Sequence, residues 1–128
     1  MGYYSDPYDD FGRLAMEIWR AARLVVDTGI HDKKWTREQA VQYLLDNTPN
    51  PEGDCQKAID RYIVMPGQAT AYKIGMLKIV TLREMAKTEL GDRFDIRDFH
   101  DVVLRDGAVP LAILEQNVRA WVDETKAN

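Results

Sequence analysis

Apolar side chains recur along this chain with the period of a helix almost everywhere. Phe11, Leu14, Ala15, Ile18, Ala22, Val25 and Val26 follow the i, i+3, i+4, i+7 spacing of one helix face. No stretch alternates strictly between apolar and polar residues inside turn-forming boundaries, so no strand is predicted. The fold class read from this pattern is all-α, an irregular bundle of about six helices.

Capping and breaking residues set the expected boundaries. Asp9 or Asp10 would cap the first helix, and Gly29 would supply a left-handed stop. "WTREQA" reads as a capping box, with Thr36 at the N-cap, Gln39 three residues on and Trp35 packing back on the first turn. That helix carries Val41, Leu44 and Leu45. In "NTPNPEGD", Pro51 suits a first helical position, and the next helix runs to about Ile63. Pro66 and Gly67 break the chain. A long helix is expected from about Gln68 to Leu90 with Gly91 as its stop, then one capped by Asp95 and ending at Gly107, then a last one from Pro110.

A chain of 128 residues that is 45% hydrophobic and 30% charged suits one helical domain, residues 1–128, around a single core. The net charge of −4 argues against a nucleic-acid surface, which needs clustered Lys and Arg to neutralise phosphates. No apolar run approaches the ~20 residues of a membrane span, and "MGYYSDPYDD" lacks the basic and apolar regions of a signal peptide. The lone Cys55 can make no internal disulfide, so a reduced cytoplasmic compartment is the default expectation.

Chemistry is harder to locate. His31, His100 and Cys55 are scattered, and no set with metal-ligand spacing is present in the sequence. Cys55 has no neighbouring histidine or basic cluster and reads as a buried or idle thiol. Arg13, Glu17, Arg20, Arg23 and Asp27 share a face of the first helix opposite its apolar stripe. That face is either solvated and laced with weak ion pairs, or a surface that a partner buries. From the residues alone no reaction follows.

The segments "GYYSDPYDDFGRLAMEIWRAARLVVDTGIH", "WTREQAVQYL", "RYIVMPGQATAYKIG" and "FDIRDFHDVVLRDGAVPLAILEQNVRAWV" resemble, in order, successive blocks of the bacterial family catalogued as domain of unknown function 885. The resemblance covers Gly2 to about Val122. That family is similar to helical zincin metallopeptidases, in which a His-Glu-x-x-His helix and a downstream glutamate hold zinc. In the family those ligands lie upstream of the block that begins here at Gly2. The resemblance therefore implies a C-terminal piece of a larger zincin-like catalytic domain, with no metal or cofactor of its own and inactive alone, while zinc belongs to the complete family protein. The piece would be a truncated reading frame, an expressed part or a proteolytic remnant. Its partners would be the missing N-terminal part or a second copy in a homo-oligomer, and the complete protein would act on a peptide-like substrate.

Within that resemblance, Tyr72 is the expected donor to the oxyanion of amide hydrolysis, one turn inside the helix that follows Pro66 and Gly67. Gln68, one turn earlier on the same side, would bind substrate backbone, whereas Lys73 points about 100° away from Tyr72. Arg20, Arg23, Asp27 and His31 fall in the block "WRAARLVVDTGIH". Arg23 and His31 are kept as substrate-binding candidates and Asp27 as a structural one, since a cleft and a buried ion-pair network both demand paired charges. The alternative is a helical interaction module without catalysis.

Overall fold

The computed structural model describes residues 4–127. The fold is all-α, as the periodicity predicts, with six α-helices and no strand among the described residues. They are α1 (Pro7–His31), α2 (Arg37–Asn47), α3 (Glu52–Val64), α4 (Ala71–Leu90), α5 (Ile96–Leu104) and α6 (Leu111–Ala127). Short 3₁₀ turns at Gln68–Thr70 and Gly91–Arg93 flank α4. The chain divides into two compact units between Ile74 and Gly75, inside α4. Buried side chains form two clusters, one in each unit, where chain length suggests a single core.

The first cluster joins Ala22 and Val26 of α1 with Val41 and Leu44 of α2, Ile59 and Tyr62 of α3, and Ala69 of the 3₁₀ turn. Val26, Leu44 and Ile59 are wholly buried, and each contributes about 1.5–3 kcal/mol by leaving water. Only the C-terminal half of α1 takes part. The remainder of its expected apolar stripe lies open, with Phe11 60%, Leu14 49% and Ile18 43% exposed, because α2 and α3 pack beyond them along the helix. In the second cluster Leu82 and Leu90 of α4, Phe99 and Val102 of α5, and Val118 and Val122 of α6 pack together. Phe94, Phe99 and Trp121 surround one another there with ring centroids 6.3–6.4 Å apart.

Local chemistry explains most boundaries. Asp6 rather than Asp9 or Asp10 caps α1, its carboxylate accepting the Tyr8 N–H at 2.7 Å. Pro7 fits the first turn, which places Asp9 and Asp10 at the positive end of the helix dipole. The Thr36–Gln39 capping box forms in both directions. Pro51 sits one place before its expected position, at the N-cap of α3. Asp95 caps α5 and accepts from Arg97, whose side chain and backbone N–H hold the carboxyl down at about 2. Cys55 is buried, and burial pushes its thiol up.

Gly29 does not stop α1. The helix runs on to His31, and the left-handed residue after it is Lys34, at φ +60°. Gly29 is required for a different reason: a Cβ built there would lie 2.4 Å from the Trp35 ring. The indole that begins the α2 capping box lies against the bare backbone of α1 and also faces Tyr43, 5.5 Å between ring centroids. The tie between α1 and the start of α4 is polar. Asp27 is buried, and both its carboxylate oxygens accept the Gly67 N–H, at 3.0 and 3.1 Å. Gly67 adopts φ +81°, a conformation that favours glycine, so the Pro66–Gly67 break turns its N–H onto α1.

Gly29→Ala is expected to destabilise by about 1–2 kcal/mol, since overpacking against a rigid ring exceeds the gain in helix propensity. Gly12→Ala, where nothing lies within 4 Å, should stabilise by up to about 1 kcal/mol. Urea unfolding of both variants checks the pair, and a stabilised Gly29→Ala would remove Trp35 as the reason for that glycine. Asp27→Ala leaves the Gly67 N–H without its charged acceptor and should cost about 2–3 kcal/mol by the same assay. A loss below about 0.5 kcal/mol would show that the turn holds itself.

Candidate functional site

Three of the four expected site residues meet around one guanidinium. The second half of α1 carries Arg20, Arg23, Asp27 and His31 at spacings of three and four. Opposite them stand the end of α3, with Arg61 and Tyr62, and the turn that leads through Gln68 to Tyr72. The Arg23 guanidinium lies over two tyrosine rings, 5.4 Å from the Tyr62 centroid and 5.2 Å from that of Tyr72. Arg20 approaches the Tyr72 ring as well, at 6.0 Å. These contacts hold the phenol by its ring. Tyr72 is 56% exposed, and among the described residues its hydroxyl makes no hydrogen bond.

Gln68 belongs to the 3₁₀ turn rather than to α4, so it reaches the site by turn geometry and not by a full helical step from Tyr72. Its Oε1 accepts from Arg61 at 2.9 Å and from Arg23 at 3.4 Å. Guanidinium groups only donate, which fixes the amide with its oxygen toward the arginines and its NH₂ directed elsewhere. The buried Arg23 Nε has no partner among the described residues. Tyr62 is buried, and desolvation pushes its phenol up against the opposing pull of Arg23 and Arg61.

His31 has a different partner. Its Nε2 donates to the Tyr62 backbone oxygen at 2.9 Å, a carbonyl at the end of α3 that the Met65 N–H also approaches, at 3.3 Å. Asp27 turns its carboxylate to Gly67, in line with a structural part. Lys73, largely covered, pairs with Glu17 at 3.6 Å. Together with Leu14, Ile18 and Ala21 these two line an open groove of about 320 Å³ on the exposed side of α1. A second groove, about 420 Å³, lies among Trp35, Gln39, Gln42, Tyr43 and Asp46 and contains none of the site residues. The arginine and tyrosine cluster is the better candidate because its polar groups converge.

Sequence reasoning missed Arg61 and Tyr62. Both stand in the block "RYIVMPGQATAYKIG", and the signal was the break at Pro66 and Gly67, which folds the two ends of the block back toward each other. Among the described residues no three His, Cys, Asp or Glu side chains gather so as to hold a metal ion. The zinc implied by the resemblance thus has no fitting set of ligands here. Among the described residues no helix is long and apolar enough to cross a membrane.

A solved structure described as the putative lipoprotein from Colwellia psychrerythraea is similar to this chain at 57% identity and a TM-score of 0.93, over 96% of this chain. The chain spans 21% of that protein's length. The cytoplasmic expectation drawn from Cys55 gains no support from a neighbour of that description. A comparison with functionally curated proteins finds no match. The family described as "Bacterial protein of unknown function (DUF885)" matches residues 1–118, and this chain belongs to that family.

Proposed function

We propose that this chain supplies part of the substrate cleft of a larger amide hydrolase or peptidase, with Tyr72 as the donor to the oxyanion. The observation that carries the reading is a phenol held by its ring and free at its hydroxyl. When an amide carbonyl is attacked, negative charge grows on its oxygen, and a preorganised donor aimed there stabilises the transition state by a few kcal/mol. A ring restrained by Arg20 and Arg23 needs little reorganisation to present that donor. The Gln68 NH₂, directed away from the arginines, is suited to grip a substrate backbone carbonyl. Arg23 joins the two by contacting both, and His31 braces the end of α3 that carries Tyr62. Because the described residues do not fit a zinc site, zinc is not assigned to side chains of this chain, and the chemistry proposed here is that of its own donors.

The span of this chain within its neighbour supports placing the activity in a longer protein. The open apolar residues Phe11, Leu14 and Ile18 favour a second reading, a non-catalytic module that binds a partner or another copy through α1. The two readings differ in what Tyr72 does.

Joined to the remainder of a family-length protein and assayed for amide hydrolysis with zinc supplied, Tyr72→Phe should lower kcat by ~100-fold or more with little change in KM. Folding should be nearly unaffected, because phenylalanine keeps the ring on which Arg20 and Arg23 rest. Gln68→Ala should act mainly on KM. Full activity in Tyr72→Phe, or a loss matched by a lowered Tm, would return the hydroxyl to a structural part and favour the module.

A further inference from the structure

We infer that Arg20, Arg23 and Arg61 form a receptor for a carboxylate, so that the cleft selects peptides carrying a free carboxylate near the bond to be cut. This deepens the reading of Tyr72 given above and rests on it. The first observation is a missing counter-ion. In the same unit Arg13, Lys33, Arg37 and Lys73 each pair with a carboxylate. Arg20, Arg23 and Arg61 have none within ion-pair distance among the described residues. Asp60, beside Arg61 in sequence, is taken by Arg37, and Asp27, one turn beyond Arg23, turns both oxygens onto the Gly67 N–H. Glu17, one turn before Arg20, is taken by Arg13 and Lys73.

The second observation is crowding of like charge. Arg23 and Arg61 both donate to the single neutral oxygen Gln68 Oε1, at 3.4 and 2.9 Å, which brings two guanidinium groups close together. Arg20 adds a third cation near the Tyr72 ring. Repulsion at such separations is costly where water is partly excluded, and an anion between the cations reverses its sign. The third observation is unused donor capacity. A guanidinium carries five N–H bonds. Among the described residues Arg23 has one long hydrogen bond and a buried, unpartnered Nε, and Arg20 donates only to the Met16 carbonyl of its own helix. The rings of Tyr62 and Tyr72 attract the Arg23 cation but provide no negatively charged acceptor.

Planar forks of N–H donors match a carboxylate in bidentate fashion. A peptide offers that group either as its C-terminal carboxylate or as an Asp or Glu side chain. Nucleic acid is disfavoured because the net charge is −4 and the three arginines form a compact spot rather than a track along a backbone.

The test is a side-chain NMR titration of this chain, reading the Arg Nε–H signals, with four probes. These are N-acetyl-alanyl-alanine, its C-terminal amide, the α-monoamide of N-acetyl-glutamate, whose side-chain carboxylate is free, and inorganic phosphate. The free dipeptide acid or the glutamate probe should shift Arg23 Nε–H, and whichever binds more tightly identifies the source of the carboxylate. The dipeptide amide should not. Arg61→Gln, at an exposed position, and Arg20→Gln should each weaken binding by about tenfold or more while the chain stays folded. Equal binding of acid and amide, binding unchanged in both variants, or phosphate binding tighter than either carboxylate would overturn the inference. Carboxylate binding in a protein whose Tyr72→Phe variant hydrolyses normally removes the proposed role of Tyr72 and leaves this inference standing. Tyr72-dependent hydrolysis that treats free acid and amide alike does the reverse.

Discussion

The bond from the Gly67 N–H to the Asp27 carboxylate is the constraint on which the first unit turns. A carboxylate buried among apolar side chains is tolerable only with donors aimed at it, and here a single backbone N–H lies within 3.1 Å of both oxygens. That N–H can point at α1 only because Gly67 takes a left-handed conformation after Pro66. Once the turn is set, Ala69 enters the core beside α1 and α3, Gln68 meets Arg61 and Arg23, and α4 begins with Tyr72 against the arginines. The polar clamp and the aromatic cluster are successive parts of one turn of chain.

Close approach of backbone to side chain serves the same unit a second time. Trp35 presses on Gly29, so the link from α1 to α2 is as tightly placed as that from α1 to α4. Between the two, His31 donates to the Tyr62 carbonyl and steadies the end of α3. The contacts of Asp27 and His31, one turn apart on α1, thus hold the segments that carry Arg61, Tyr62, Gln68 and Tyr72. A site built on packed helices in this way keeps its side chains where mobile loops would not.

Much of this was legible in the sequence, and the failures have physical causes. The capping box at Thr36, the cap at Asp95 and the break at Gly67 were visible because each depends on residues within a few positions. Gly29 was misread because a glycine needed for a close approach and a glycine needed for a left-handed turn look the same until the distant partner is known. The stripe on α1 shows which residues share a face but not how far along the helix α2 and α3 cover it, so nothing in the spacing separates the open Phe11, Leu14 and Ile18 from the buried Ala22 and Val26. Tyr72, Gln68 and Arg23 came from resemblance to a family. Arg61 and Tyr62 were missed because their contacts span the break, and no periodicity rule reaches across a turn.

The cluster also runs against the thrift of the rest of the chain. Elsewhere in the first unit several cations are neutralised nearby, as when Arg37 grips Asp60 with two hydrogen bonds and lowers its pKa, although Lys34 and Lys57 have no carboxylate within ion-pair distance among the described residues. A protein selected for stability alone would be expected to place an acid beside Arg23, or to replace it with an apolar residue between Tyr62 and Tyr72. Instead the nearest carboxylate in position, that of Asp27, is used on the backbone, and three cations are left around an amide and two phenols. Local choices that conflict with stability are concentrated where proteins act on ligands. In an acidic chain, a positive spot of this kind draws an anionic group to one place and repels it from most others. Tyr72, half exposed, has its ring against two of those cations, so the field that recruits the ligand and the donor proposed to act on it belong to the same few residues.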